Sequence, residues 1–318
     1  MTSDGRQLHD ARTELIERAY RLSTGEAAGE AWDELLARAA SDDGPITVIE
    51  IAAIDPERRA LHETYVNAAG AATEAQGGAV TAVCDIVEPG TGDLSSLMDY
   101  AGGVATLLAF PSRAAYLTAL ASERWQSSLD ARRAAVRDAI ILIAGENAIP
   151  PMARAMFGEP RPASAFATPR VDGKAPEALI DELLTVYPDG GADPSRAQLE
   201  VMMRFPGFRE QPVHYINLYA FGDGGDPAVK GEAAHDAYNL AAMQPVLAHG
   251  GFPLLRAPVA HRLASTIPWS RVVFVRWPSL AVFTDMRLAP EYIEAQKHRV
   301  ESAETYGNFV TVKRDARA

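Results

Sequence analysis

The chain has 318 residues, 47% of them hydrophobic and 23% charged, a balance that suits a folded protein with one large core or two ordinary ones and excludes a fibrous or disordered chain. Its 42 acidic and 30 basic residues leave a formal charge of −12 with lysines and arginines scattered, which argues against nucleic acid and anionic membrane surfaces as partners. The longest aliphatic runs, such as 139–144, fall far short of the roughly 20 residues that cross a bilayer, and the single cysteine, Cys84, with no basic-then-apolar leader, points to a reducing cytoplasm.

In chain order, helical patterns at 15–18 and 32–39 lead into a strand at 46–54, a helix at 58–76, strands at 79–87 and 104–110, a helix at 112–136 and a strand at 138–144. A proline-rich stretch at 147–174 reads as a linker. Helical patterns at 179–182 and 196–204 follow it. The run 213–221 alternates Tyr215, Asn217 and Tyr219 against His214, Ile216 and Leu218, the period of a strand. Residues 233–249 read as a helix closed by Gly250. Residues 254–263 are extended, and Pro253 and Pro258 suggest an edge strand, since proline cannot donate to a ladder. A strand at 271–277, a helix opened by Pro278-Ser279 and a strand at 306–313 complete the chain. The expected divisions are N-terminal helices at 1–45, a first module at 46–145, a linker with helices at 146–212 and a second module at 213–314.

The two halves repeat each other. Residues 61–78 align without gaps on 234–251, with 7 of 18 positions identical, pairing His62 with His235, Tyr65 with Tyr238, and Gly77-Gly78 with Gly250-Gly251. At a shift of 167, Phe110-Pro111-Ser112 falls on Trp277-Pro278-Ser279, Tyr116 on Phe283, Trp125 on Tyr292, Arg132 on Arg299, and 46–51 on 213–218. Each half is a β-α-β-β-α-β unit, which folds as a four-stranded antiparallel sheet with both helices on one face. The open faces of two such sheets can bury each other, so the expected fold is α+β: two tandem ferredoxin-like modules forming an intramolecular dimeric α/β barrel, a pseudo-dimer within one chain that leaves a homodimer open.

With Tyr238, His249-Gly250-Gly251, Trp277-Pro278-Ser279 and Pro290-Glu291-Tyr292 in the second half, the chain resembles the dimeric α/β-barrel superfamily, and within it an uncharacterised family carrying these signatures. The first half departs from the pattern, with Gln76 for the histidine and Glu123-Arg124-Trp125 for Pro-Glu-Tyr. The superfamily includes cofactor-free monooxygenases, lactone isomerases, polyketide cyclases and haem enzymes, so the resemblance implies a fold and leaves the reaction open.

The candidate site residues follow from strand parity. With Ile216 and Leu218 assigned to the helix-covered face, Tyr215, Asn217 and Tyr219 point into the barrel, where an amide between two phenols could orient a small polar substrate. Asn217 corresponds to Glu50, a carboxylate whose pKa an apolar barrel would raise toward acid or base work. Arg276, on the strand expected beside Asn217, could hold a carboxylate, enolate or phenolate; a structural ion pair is the competing reading. Arg256 is a weaker anchor. His235 and Tyr238 share one helix face and could move a proton, although such faces more often only pack. His261 could reach the cavity mouth. No cofactor or metal is expected: the metal spacings are missing, and His298, the candidate haem ligand, sits in a Lys297-His298-Arg299 run that reads as a solvated face. The leading expectation is a cofactor-independent monooxygenase, isomerase or cyclase acting on a small, aromatic or polyketide-like anion. A non-catalytic small-molecule binding protein and a haem protein are the alternatives.

Overall fold

In the computed structural model, which describes residues 27–39, 44–89, 100–149, 160–166, 169–188, 194–221, 231–302 and 305–314, each half of the chain folds as β-α-β-β-α-β. The protein is therefore of the α+β class, with two ferredoxin-like modules. The first consists of β1 (Ile46–Ile54), α2 (Arg59–Ala75), β2 (Ala79–Pro89), β3 (Val104–Phe110), a second helix broken into α3 (Arg113–Leu120), α4 (Glu123–Gln126) and α5 (Leu129–Ala135), and β4 (Val136–Ala144); α1 (Ala27–Ala39) precedes it. After α6 (Pro176–Val186) and α7 (Arg196–Met203), the second consists of β5 (Val213–Ala220), α8 (Glu232–Ala248), β6 (Phe252–Ala264), β7 (Arg271–Trp277), α9 (Leu280–Arg287), α10 (Pro290–Ser302) and β8 (Thr305–Lys313). The helix expected at 15–18 lies outside the described residues.

One pairing scheme serves both modules. β1 lies antiparallel between β3 and β4, and β5 between β7 and β8. Ile46 faces Phe110 and Glu50 faces Ile141; at an offset of 167, Val213 faces Trp277 and Asn217 faces Asn308. The shared aromatic-Pro-Ser signature has a physical reason. The aromatic residue ends the strand, and the serine caps the next helix: Ser112 Oγ accepts from the Ala115 N–H at 3.0 Å, and Ser279 Oγ from the Val282 N–H at 3.3 Å.

The Gly-Gly corner is equally specific. Gly77 and Gly250 hold φ of 73° and 78°, the left-handed region that glycine tolerates after a helix. The second glycine is needed for space. A Cβ at Gly78 would lie 2.4 Å from the Ala109 carbonyl oxygen, and one at Gly251 2.7 Å from Trp277 Cη2. Gly77→Ala meets nothing within 4 Å and should cost only the conformational penalty, about 1 kcal/mol. Gly78→Ala forces backbone apart and should cost about 3 kcal/mol. Urea titrations of the two variants check the order; equal losses would contradict it.

The described residues divide into two compact units. One comprises Met1–Cys84, Gly102–Glu146 and Pro258–Pro268; the other comprises Asp85–Ala101, Asn147–Ala257 and Trp269–Ala318. The first unit's core gathers Trp32 and Leu35 of α1 with Tyr65, Tyr116, Trp125 and Ile143. The second unit's core gathers Leu179, Leu183, Leu199 and Met202 of α6 and α7 with Tyr215, Trp277, Phe283 and Tyr292. Cys84 is buried. Over its last six residues β6 pairs with β4, so it is not an edge strand there: Pro258 uses only its carbonyl, which accepts from the Gly145 N–H at 2.9 Å, and its missing N–H costs nothing. Among the described residues, no helix is long and apolar enough to cross a membrane.

Candidate functional site

Between the sheet of the second module and the helices that cover it lies a cavity of about 220 Å³. Tyr215, Asn217 and Tyr219 of β5, Val273, Val275 and Trp277 of β7 and Tyr306 and Asn308 of β8 form its floor. Tyr238, Ala242 and Val246 of α8, Phe283 and Arg287 of α9, and Tyr292, Gln296 and Arg299 of α10 form its roof. The volume is below the roughly 300–1,000 Å³ of drug-sized pockets, which restricts an occupant to about one ring.

A directional hydrogen-bond chain crosses the floor. Asn308 Nδ2 donates to the Tyr306 hydroxyl at 3.1 Å, Tyr306 donates to Asn217 Oδ1 at 2.6 Å, and Asn217 Nδ2 donates to the Val273 carbonyl at 3.4 Å. In the roof the Tyr238 and Tyr292 hydroxyls lie 3.1 Å apart. Burial pushes the Tyr219 and Tyr238 phenols well above their usual range and raises Tyr306 as well, so all three remain protonated donors at neutral pH.

The charge on this wall is one-sided. Arg256, Arg287 and Arg299 line the cavity, and no aspartate, glutamate, lysine or histidine is among the described lining residues. Arg299 is 7% exposed, with its guanidinium 4.8 Å from the centre of the Tyr306 ring. Arg287 stacks 4.3 Å over Tyr187, whose hydroxyl donates to the Arg287 carbonyl at 2.7 Å. Arg256 pairs with Asp236, which also pairs with Arg271 at 2.7 Å.

The structure brings together five of the expected residues, Tyr215, Asn217, Tyr219, Tyr238 and the weaker anchor Arg256, and places Arg276, His235, Glu50 and His261 outside the lining. The assigned faces of β5 are inverted: the tyrosine and asparagine face meets the helices, because the aromatic side chains fill the gap beneath α8 and α9, while Ile216 and Leu218 take the opposite face. Arg276 shares that opposite face. It pairs in register with His214, and its guanidinium donates to the Arg161 carbonyl at 3.2 Å, so it does not stand beside Asn217.

His235 lies just outside the lining. It is completely buried, packed 4.1 Å from Tyr219 and 5.2 Å from Phe221 between ring centroids, and neither ring nitrogen has a hydrogen-bond partner among the described residues. Burial, with Arg271 and Arg256 nearby, lowers its pKa to about 3, far from that of a neutral-pH proton shuttle. Glu50 and His261 belong to the first unit. Glu50 is not a lone carboxylate in an apolar barrel: it lies 2.8 Å from both Nε and Nη2 of Arg132 and accepts from the Tyr65 hydroxyl at 2.8 Å. His261 packs 3.5 Å from Arg113, and burial lowers its pKa to about 4.

Haem does not suit this cavity. His298 is exposed and absent from the lining, and the volume is too small for a macrocycle. Arg299, read in sequence as part of a solvated run, is the buried member of it. Two signals could have identified it: its match to Arg132, and the Tyr292, Gln296, Arg299 spacing, which places all three on one helix face.

Fold and site thus define an α+β protein of two ferredoxin-like modules, the second holding a small arginine-walled cavity. Residues 225–313 match the family model described as "Domain of unknown function (DUF1330)". No curated protein sequence matches the chain. Among solved structures, the chain is similar to a Lactobacillus acidophilus NCFM protein provisionally named a monooxygenase, with 9% identity and a TM-score of 0.43 over 85% of this chain and 94% of that one. It is also similar to chlorite dismutase from Candidatus Nitrospira defluvii in complex with imidazole, with 10% identity and a TM-score of 0.40 over 88% and 95%. A protein of unknown function from Rhodopseudomonas palustris is 25% identical, with a TM-score of 0.35 over 39% of this chain and 97% of that one.

Proposed function

We propose that the second module binds a small, flat organic anion and that the protein is a cofactor-independent enzyme acting on it by oxygenation, isomerisation or cyclisation. The observation that carries this reading is the lining itself, which has three arginines and no carboxylate among its described residues. In a chain with a formal charge of −12, positive charge concentrated inside a cavity selects an anion that the exterior repels. The aromatic and aliphatic walls suit a planar apolar body. A guanidinium and phenol donors fixed in place before reaction would stabilise an enolate or phenolate as its charge develops. We further propose that the two modules arose by tandem duplication, supported by their common register, serine caps and Gly-Gly corners.

Non-catalytic binding is the second reading. It is favoured by one observation: no described lining side chain offers a base that titrates near neutrality. Benzoate against benzamide, titrated by fluorescence of Trp277 in the cavity wall, tests the shared claim. Benzoate should bind at least roughly tenfold more tightly, and Arg299→Met should abolish the preference. Equal binding of the two would remove the anion reading. Mass spectrometry of protein purified from its native host, followed by incubation with the ligand found, separates turnover from sequestration.

A further inference from the structure

We infer that Gln296 reads a hydroxyl on the ligand's ring, so that the cavity of the second module selects a phenolic occupant over its unsubstituted counterpart. The inference rests on the reading that this cavity takes a small flat ring, and it adds the group with which that ring must donate.

Gln296 lies on α10, one turn after Tyr292, and lines the cavity. It is 6% exposed, and its side-chain carbonyl oxygen, Oε1, is buried with no hydrogen-bond partner among the described residues. A buried carbonyl left in that state costs free energy, and native proteins leave few of them. The other amides of the lining are in use. Asn217 accepts from Tyr306 and donates to the Val273 carbonyl, Asn239 donates to the His235 carbonyl at 2.9 Å, and Asn308 donates to Tyr306.

Packing does not call for an amide at this place. At the offset of 167 that pairs Tyr292 with Trp125 and Arg299 with Arg132, Gln296 falls on Leu129. Leu129 is 7% exposed and belongs to the apolar core of the first unit. The same helix position is thus filled by leucine where it closes a core and by glutamine where it borders a cavity.

The chemistry of the missing partner follows from Oε1, which can only accept. A carboxylate has no hydrogen to give; a hydroxyl has one, and it keeps lone pairs for the guanidiniums and phenols that make up most of the polar lining. Val273, Val275, Trp277 and Phe283 would hold the body of the ring. Against such walls an added hydroxyl weakens binding unless an acceptor meets it, so tighter binding is diagnostic.

Isothermal titration calorimetry with benzoate, meta-hydroxybenzoate and para-hydroxybenzoate tests this. At least one hydroxybenzoate should bind roughly tenfold more tightly than benzoate, and Gln296→Leu, which repeats the residue of the first half, should erase the preference. Equal binding of benzoate and both isomers to wild type, or a preference that survives Gln296→Leu, would overturn the inference. The melting temperature of the ligand-free protein is the second measurement. Gln296→Leu and Gln296→Met should hold it, because neither leaves a buried partner behind; a fall of several degrees in both would show that the protein itself holds the amide, and would overturn the inference too. Equal binding of the three acids alongside an advantage of benzoate over benzamide would leave the anion reading standing. If instead benzoate and benzamide bind equally, the anion reading falls, and the hydroxybenzamides against benzamide decide this inference by the same tenfold criterion.

Discussion

Arg132→Met is expected to destabilise the protein by about 3–5 kcal/mol, the usual consequence of removing one partner from a buried ion pair. Arg132 is 2% exposed and Glu50 7%, so neither charge can turn to solvent. Methionine keeps much of the volume of the arginine stem, and it leaves the carboxylate with only the Tyr65 hydroxyl at 2.8 Å. Around the pair, the Arg132 guanidinium lies 5.6 Å from the centre of the Tyr65 ring, and Trp125 packs against Tyr65 and Tyr116 at 6.4 and 6.1 Å. Combining Arg132→Met with Glu50→Gln should recover most of the loss, since an amide is far cheaper to bury than an unpaired carboxylate. Urea denaturation of the two single variants and the double closes the cycle. A single-variant loss below about 1 kcal/mol would show that the pair behaves as an exposed one.

The second large effect is on acid stability. Burial lowers the pKa of His235 to about 3 and those of His214 and His261 to about 4. Between the ordinary value of 6.5 and these lowered values, the unfolded chain binds protons that the folded chain refuses, so stability rises with pH across that window. It is fully present above about pH 6.5 and is lost as the pH falls, by about 1.4 kcal/mol per pH unit for each such histidine. His235→Phe fits the cage of Tyr219, Phe221 and Tyr238 and cannot titrate. The difference in stability between pH 7 and pH 4 should shrink by about 3 kcal/mol in this variant, while stability at pH 7 holds or rises by about 1 kcal/mol because two unpartnered nitrogens are gone. Denaturation at both pH values checks it. An unchanged acid slope would mean that His235 is protonated in the folded protein.

The strands and helices were legible because their punctuation is local. Serine caps, Gly-Gly corners and aromatic strand ends act within a few residues of their own position, and the repeat showed each twice. Which face of β5 meets the helices was not legible. Every described residue of that strand but Asn217 is buried, so hydrophobic alternation carried no sign of direction, and the aliphatic set was assigned to the wrong side. The placement of Arg276 failed with it. The partner of Glu50 was hidden for another reason: Arg132 lies 82 residues away, and only the folded register joins them. Arg299 was masked by its neighbours, because three successive basic residues on a helix look solvated even when one of them turns inward.

The proline-rich stretch read as a linker contains one residue that acts as a fastener. Phe166 presses its ring into the place a side chain would need at Gly250, with a built Cβ only 2.2 Å from Cζ, and the Arg161 guanidinium lies 4.5 Å from the centre of that ring. The Arg161 carbonyl is in turn the acceptor for Arg276. A fragment cut to begin at β5 would therefore strip the ring from the helix corner and the acceptor from β7, so an excised second module should start no later than Pro160.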